Sequence, residues 1–205
     1  MPDYTWAESD DWQSAWRPLI DAIGEDFDSS PVEAVDPIDA SLVRQFNEPL
    51  EFDCPLFHDD AVARKHGYPG AIAPYSGLAT WTSAGIWTYG DAPVYTSAER
   101  NDVPAHRALR DGREVPAPET NSSLATDVEY EYHRPFVIGD RLHVRGRTLT
   151  SVVPKQTAVG RGAFTVWESR IYNQNGEHTA TQRLGIYFYV AGNFTSSALA
   201  EVGTR

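Results

Sequence analysis

The stretch AFTVWESRIYNQNGEHTATQRLGIYFYV, residues 163–190, narrows the possible folds more than any other part of the chain. Two runs rich in β-branched and aromatic residues flank Asn175-Gly176. Such runs read as strands, and Asn-Gly supplies the positive φ angles of a type I′ turn, so a long antiparallel hairpin is predicted. Upstream, TDVEYEYH sets Val128, Tyr130 and Tyr132 against Asp127, Glu129 and Glu131. RLHVRGRTLTSVV likewise sets Leu142 and Val144 against Arg141, His143 and Arg145. Each predicts a strand with one face on a core. Gly160-Arg161-Gly162 reads as a strand-end turn, because a dinucleotide loop needs a strand-to-helix context that is absent here.

The first half carries helical spacing instead. Trp12, Trp16, Leu19, Ile20 and Ile23 recur on one face, with Pro18 expected to end or kink the segment. DFDSSPVEAV is a candidate short first strand. In DPIDASLVRQFNEPL, Asp36 is placed to cap, Pro37 to open a helix and Asp39 to favour its positive end, with Ile38, Leu42, Val43 and Phe46 as the apolar stripe. HDDAVARKHGY predicts a further short helix closed by Gly67, and Pro74 opens another with many small residues. Residues 90–122 show neither period and read as a long loop. Helices followed by an antiparallel meander give an α+β domain. The expected divisions are an N-terminal helical extension (1–30), one domain (31–192) and a tail (193–205).

A net charge of −12 argues against nucleic acid as a partner. It still allows a local anion site. Cys54 is the single cysteine, so no intrachain disulfide framework is expected. The N-terminus lacks a basic, apolar leader and no apolar run is long enough to span a bilayer, which makes a cytoplasmic location the expectation, with no membrane partner. Two sequons, at Asn121 and Asn193, then read as chance matches. His58 and His66 have no cysteine pattern beside them, so no metal site is expected. Ser76 lacks a nucleophile elbow.

Two stretches in order resemble a known family. CPLFHDDAVARKHGYPGAIAPYSGL (54–78) is similar to the Asn-Pro-Leu-His…Ala-Arg…Gly-Tyr stretch of MaoC-like hydratases, and its Ala73-Pro74 resembles the FAS1-like dehydratase N-terminal branch. EYEYHRPFVIGDRLHVRGRTL (129–149) resembles that branch's Arg-Pro…Gly-Asp signature through Arg134, Pro135, Gly139 and Asp140. The resemblance implies a single hot-dog fold, an antiparallel sheet wrapped around a long central helix running from Pro74 to about Tyr89, with additional N-terminal helices. It also implies double hot dogs with an acyl-CoA site at the interface. Ala73, Pro74, Tyr75 and Ser76, at the start of that helix, and Arg134 are the candidate substrate-binding residues. Arg134 is read more readily as a brace of the sheet turn.

Active members of the family hold a water between an Asp and a His five residues later, for addition to a 2-enoyl thioester. Aligned without gaps, this sequence puts Phe52 and Phe57 at those positions. A phenyl ring neither takes nor gives a proton, so the aligned register leaves this chain without catalytic residues of its own. Asp53 and His58 are also five apart, and a one-residue bulge would make them a dyad; otherwise Asp53 and Asp59 serve as caps or turns. The resemblance therefore points to a non-catalytic subunit of a heteromeric (R)-specific 2-enoyl-CoA hydratase, a lyase of lipid metabolism and of steroid degradation in one version. A smaller MaoC-like partner, expected in an α2β2 heterotetramer, would supply the dyad. No cofactor is expected beyond the coenzyme A of the substrate. A self-sufficient hydratase using Asp53 and His58, a hot-dog thioesterase and an acyl-CoA-binding protein stay open as alternatives.

Overall fold

Among the described residues the helices all end by residue 81 and the long strands all begin after residue 121. The computed structural model describes residues 3–28, 30–87, 89–95 and 112–192. The middle of the expected 90–122 loop, the Asn193 sequon and the 193–205 tail lie outside the described residues.

Two 3-10 turns, Thr5–Glu8 and Trp12–Trp16, lead into α1 (Arg17–Asp21). Pro18 lies in the first turn of α1, where a missing N–H costs nothing, so it starts a helix rather than ending or kinking one. The short β1 (Val32–Glu33) precedes α2 (Ala40–Asn47) and α3 (Asp60–Lys65). Asp39, not Asp36, caps α2: its carboxylate accepts from the amides of Ser41 and Leu42. Pro37 consequently lies outside the helix. Ile38 and Val43 are buried in the core with Leu42 and Phe46 packed against it, as the stripe requires. Asp59 caps α3 in the same way, and Gly67 closes the segment at φ 89°.

β2 (Ile72–Ala73) leads into a 3-10 turn, Tyr75–Gly77, and then α4 (Leu78–Trp81). The expected long helix stops here. The Trp81 indole folds back to the Pro74 carbonyl at 2.9 Å, and the Thr82 hydroxyl bonds the Leu78 carbonyl at 2.9 Å. The Ser83 carbonyl is taken by the Val35 amide, and Gly85, a poor helix former, follows two residues later.

The second half forms β3 (Ser122–Tyr132), β4 (Phe136–Val137), β5 (His143–Thr157), β6 (Gly160–Tyr172) and β7 (His178–Ala191). The main sheet is antiparallel in the order β1-β5-β6-β7-β3, and β2 pairs separately with β4. Gly160-Arg161-Gly162 is the first part of β6 rather than a turn. The β6–β7 hairpin stands where it was expected, with a different turn. Only Gly176 of the Asn-Gly pair has positive φ, at 75°, and its amide bonds the Asn173 carbonyl at 3.0 Å. This is a longer loop ending in a left-handed glycine rather than a type I′ turn. The Asn173 side chain organises it, accepting from the amides of Asn175 and Glu177. β3 is an edge strand: Tyr130 and Tyr132 are half-buried, but Val128 is 48% exposed, with nothing among the described residues over it.

One curled face of the sheet carries two separate cores. Val144, Ile171 and Ala180 meet Ile38, Val43, Leu78, Trp81 and Phe136 at one end. Leu149, Val152, Ala163 and Trp167 meet Trp12, Trp16, Leu19 and Phe27 at the other. Arg161 ties that second end down, its guanidinium donating to the carbonyls of Ala7 and Ser9.

Candidate functional site

Residues 48–58 run through two 3-10 turns, Glu48–Leu50 and Pro55–Phe57, joined across Glu51 in the left-handed region at φ 51°. These turns bring the Phe52 and Phe57 rings to 6.3 Å between centroids. Two neighbouring phenyl rings thus occupy the positions that align with the family's Asp and His. Asp53 and His58 are both exposed, and His58 Nε2 lies 2.9 Å from the Phe52 carbonyl. Among the described residues no hydrogen bond joins the two side chains. They do share the rim of an open depression of about 320 Å³ with Arg44 and Asn47. The Asn47 amide is buried there without a hydrogen-bond partner among the described residues.

Ala73 is buried in β2 opposite Phe136, and the Pro74 carbonyl accepts the Gly77 amide as well as the Trp81 indole. Tyr75 and Ser76 are exposed at the head of the turn. The Tyr75 carbonyl accepts the Tyr132 hydroxyl at 2.9 Å, and the two rings lie 4.6 Å apart. Burial, with help from neighbouring tyrosines, raises both phenols above their ordinary pKa, so they remain neutral hydroxyls at physiological pH. Arg134 lies elsewhere, paired with Glu177 of the β6–β7 loop at 2.8 Å. Asp140 of the same signature is structural: its carboxylate accepts the Val137 amide and the Gln174 side chain, closing the turn at Gly139.

The large space is on the concave face. A cavity of about 720 Å³ lies between the two cores, walled by Leu19, Ala84, Val144, Trp167, Leu184 and Ile186. Its polar wall includes Arg147, Glu119, Ser169 and Gln182, with no histidine among the described residues. A volume of this size suits a bulky organic group. None of its wall residues lines the Asp53–His58 depression. Arg147 was not foreseen from the alternating pattern. The signal was Gly146, since a glycine inside a strand often marks a bulge that shifts the phase of everything after it.

A family profile described as "FAS1-like, dehydratase domain region" matches residues 21–182. The chain belongs to this family. Among FAS1-like relatives it is 30% identical over 153 residues to the "Probable enoyl-CoA hydratase alpha subunit" of Thermomonospora curvata, covering 75% of this chain and 45% of that protein. It is also 30% identical over 146 residues to the "3-oxo-4,17-pregnadiene-20-carboxyl-CoA hydratase alpha subunit" of Mycobacterium tuberculosis, covering 68% of this chain and 42% of that one. The chain therefore spans less than half the length of these relatives. A chain in the crystal structure of the ChsH1-ChsH2 complex from Mycobacterium tuberculosis superposes with a TM-score of 0.59 at 25% identity, over 90% of this chain and 94% of the other. A MaoC-like dehydratase from Rhodospirillum rubrum shares the fold, with a TM-score of 0.51 at 21% identity over 83% and 94% of the two chains. The curled antiparallel sheet is thus a hot dog, and in this FAS1-like domain the helix inside it is cut short.

Proposed function

We propose that this FAS1-like chain is the non-catalytic subunit of a heteromeric (R)-specific 2-enoyl-CoA hydratase, or 3-hydroxyacyl dehydratase in reverse, acting on a bulky acyl-CoA. The observation that carries this reading is a separation of space from chemistry. Among the described residues, the cavity large enough for an acyl group has no imidazole in its wall, while Asp53 and His58 line a different, open depression. Hydration needs a base to take a proton from water as its oxygen attacks C3. It also needs an acid to protonate C2, and donors for the oxygen of the enolate between those steps. In this reading a smaller MaoC-like partner brings the carboxylate and imidazole, and this chain brings the wall around the acyl group.

The exposed edge of β3 supports a partner, since Leu124 and Val128 are 40% and 48% exposed on a strand whose outer backbone edge is unpaired within the described chain. An α2β2 assembly is the arrangement we favour. The segment Ala73–Ser76 would form this chain's side of the thioester path, with coenzyme A entering only as part of the substrate. A steroid-like acyl group fits the cavity's size, and the relative from Mycobacterium tuberculosis is named for one.

The test is co-expression with a MaoC-like partner. A soluble heteromer that hydrates a fused-ring enoyl-CoA, and loses turnover when the partner's dyad is mutated, is the expected result. The shared rim of Asp53 and His58 favours one other reading, a self-sufficient dyad. Turnover by the isolated chain, abolished by Asp53→Asn or His58→Ala, would establish that reading and remove ours.

A further inference from the structure

The bulge in β5 has an effect on the cavity. Between the pairs Arg145↔Arg170 and Thr148↔Glu168, two residues of β5, Gly146 and Arg147, oppose the single residue Ser169 of β6. Gly146 takes φ 75°, a conformation glycine adopts without steric cost. Strict alternation after Val144, which faces the core, would turn residue 147 to the outside. The extra residue turns Arg147 inward instead, and it lines the 720 Å³ cavity.

A guanidinium on an apolar wall is costly unless its donors are met. Two contacts hold this one. It lies over the Trp167 ring at 5.2 Å, and its Nε stands 3.5 Å from an Asp28 carboxylate that is 2% exposed. Among the described residues, no hydrogen-bond acceptor meets its terminal nitrogens, and the side chain remains 31% exposed. Pinning the N-terminal segment does not need this side chain, because the Arg147 backbone already does it. Its amide donates to Asp26 at 2.8 Å and its carbonyl accepts the Phe27 amide at 3.1 Å.

We infer that Arg147 is a specificity-determining residue, which donates hydrogen bonds to a neutral oxygen, such as a ring ketone, on the bulky acyl group held in the cavity. Charge decides the class of oxygen. Arg147 is already faced by Asp28, and Glu119 also lines the wall, so a carboxylate or phosphate would share the site with acidic side chains. A carbonyl oxygen accepts without adding charge. Ser169, opposite the bulge, and Gln182, its neighbour on β7, give the same patch of wall further polar atoms. The Gln182 amide nitrogen donates one of its two hydrogens to the Tyr130 hydroxyl at 3.1 Å, which leaves the other to donate.

The inference rests on the proposed acyl role of the cavity, and two measurements on the heteromeric complex separate them. Binding is measured by calorimetry with a matched pair of saturated fused-ring acyl-CoA thioesters, one carrying a ring ketone and one a methylene in its place. Turnover is measured with the corresponding enoyl-CoA pair. The wild-type complex is expected to bind the ketone about 10- to 100-fold more tightly, the range for a hydrogen bond to a charged donor. Arg147→Met is expected to remove that preference, read as the ratio of the two affinities within the same variant. Equal affinities in the wild type, or a preference that survives Arg147→Met, overturn the inference even when both enoyl thioesters are hydrated. A complex that neither binds nor hydrates either compound overturns the hydratase reading itself. Should Arg147→Met not fold, Arg147→Lys keeps the charge without the fork and is expected to lose most of the preference; retaining it in full counts against the inference. The wild-type comparison requires no variant.

Discussion

The two ends of the concave face are closed by different means. At one end, α2 and α4 bring Val43, Leu78 and Trp81 down onto Val144 and Ile171, with β2 and β4 pairing alongside. At the other, little regular structure is involved. Trp12, Trp16 and Phe27, set in 3-10 turns and loop, lie on Leu149 and Trp167, where Trp6 meets Trp16 and Phe27 meets Trp167 edge-to-face. A hot-dog sheet can therefore be capped by a helix or by loosely wound aromatic side chains. Among the described residues, short covers at both ends leave the middle of the face open. The cavity is the gap that results.

The hardest test of this division is to remove the keystone of each end. Trp16 and Trp81 are 0% and 2% exposed, and cutting either to alanine is expected to cost about 3–5 kcal/mol in denaturant unfolding. The two core clusters share no residue, so the double variant is expected to lose the sum of the single losses within about 0.5 kcal/mol. Strong coupling would mean that the ends form one core and that the contrast drawn above is wrong.

A smaller effect probes why the helix inside the hot dog is short. A Cβ on Gly77 would sit 2.4 Å from the Trp81 ring. Gly77→Ala is therefore expected to displace the indole from the Pro74 carbonyl and lower stability by about 1–3 kcal/mol. Trp81 fluorescence would shift while the Trp16 end stays protected in hydrogen exchange.

These two ends were unequally legible in the sequence. The long strands could be read because alternation over ten or more residues leaves few other solutions. The apolar stripe of α2 could be read because Ile38, Leu42, Val43 and Phe46 keep helical spacing. The end of α4 could not, since Trp81 turning back to Pro74 and Ser83 bonding Val35 are tertiary events that propensity does not register. Phase was lost at Gly146 for a related reason: one inserted residue reverses the facing of Arg147. Likewise Val128 alternates correctly, yet is exposed, because no described residue lies over that part of the edge strand. At the candidate site, the sequence put Phe52 and Phe57 side by side with Asp53 and His58 as alternatives. It carried no information about which of these would border the large cavity, and none of them does.

Acid should loosen one end and spare the other. Burial, with Arg145 nearby, lowers the pKa of His143 despite Glu33 opposite. Burial also lowers that of His178, aided by His133 and Arg170 against the Ala180 carbonyl and Glu131. A histidine depressed in the fold lets the unfolded chain bind protons first, so stability is full above the ordinary value of 6.5 and falls as pH drops below it. Both imidazoles sit at the strand ends nearest Ile171 and Ala180 in the helix-covered core. Melting between about pH 7.5 and about pH 5.5 is expected to show the loss, and His178→Gln to reduce the slope. Hydrogen exchange at the lower pH should open the start of β7 before the Trp16 end. A uniform loss of protection would show that the two ends respond together.

The mildest change is at Arg134, whose pair with Glu177 is exposed on both sides, at 56% and 38%. Solvent screening keeps such pairs weak, so Arg134→Gln is expected to cost less than about 1 kcal/mol, and less again in high salt. Its value lies in the second readout. If the side chain only braces the β6–β7 loop beside the helix-covered core, the KM for acyl-CoA in the proposed heteromer stays put while the melting point slips slightly. A KM that rises severalfold with stability intact would instead put the guanidinium on a coenzyme A phosphate. The helix-covered end would then hold the nucleotide while the tryptophan-covered end borders the acyl group, and the difference between the ends would be one of function as well as of packing.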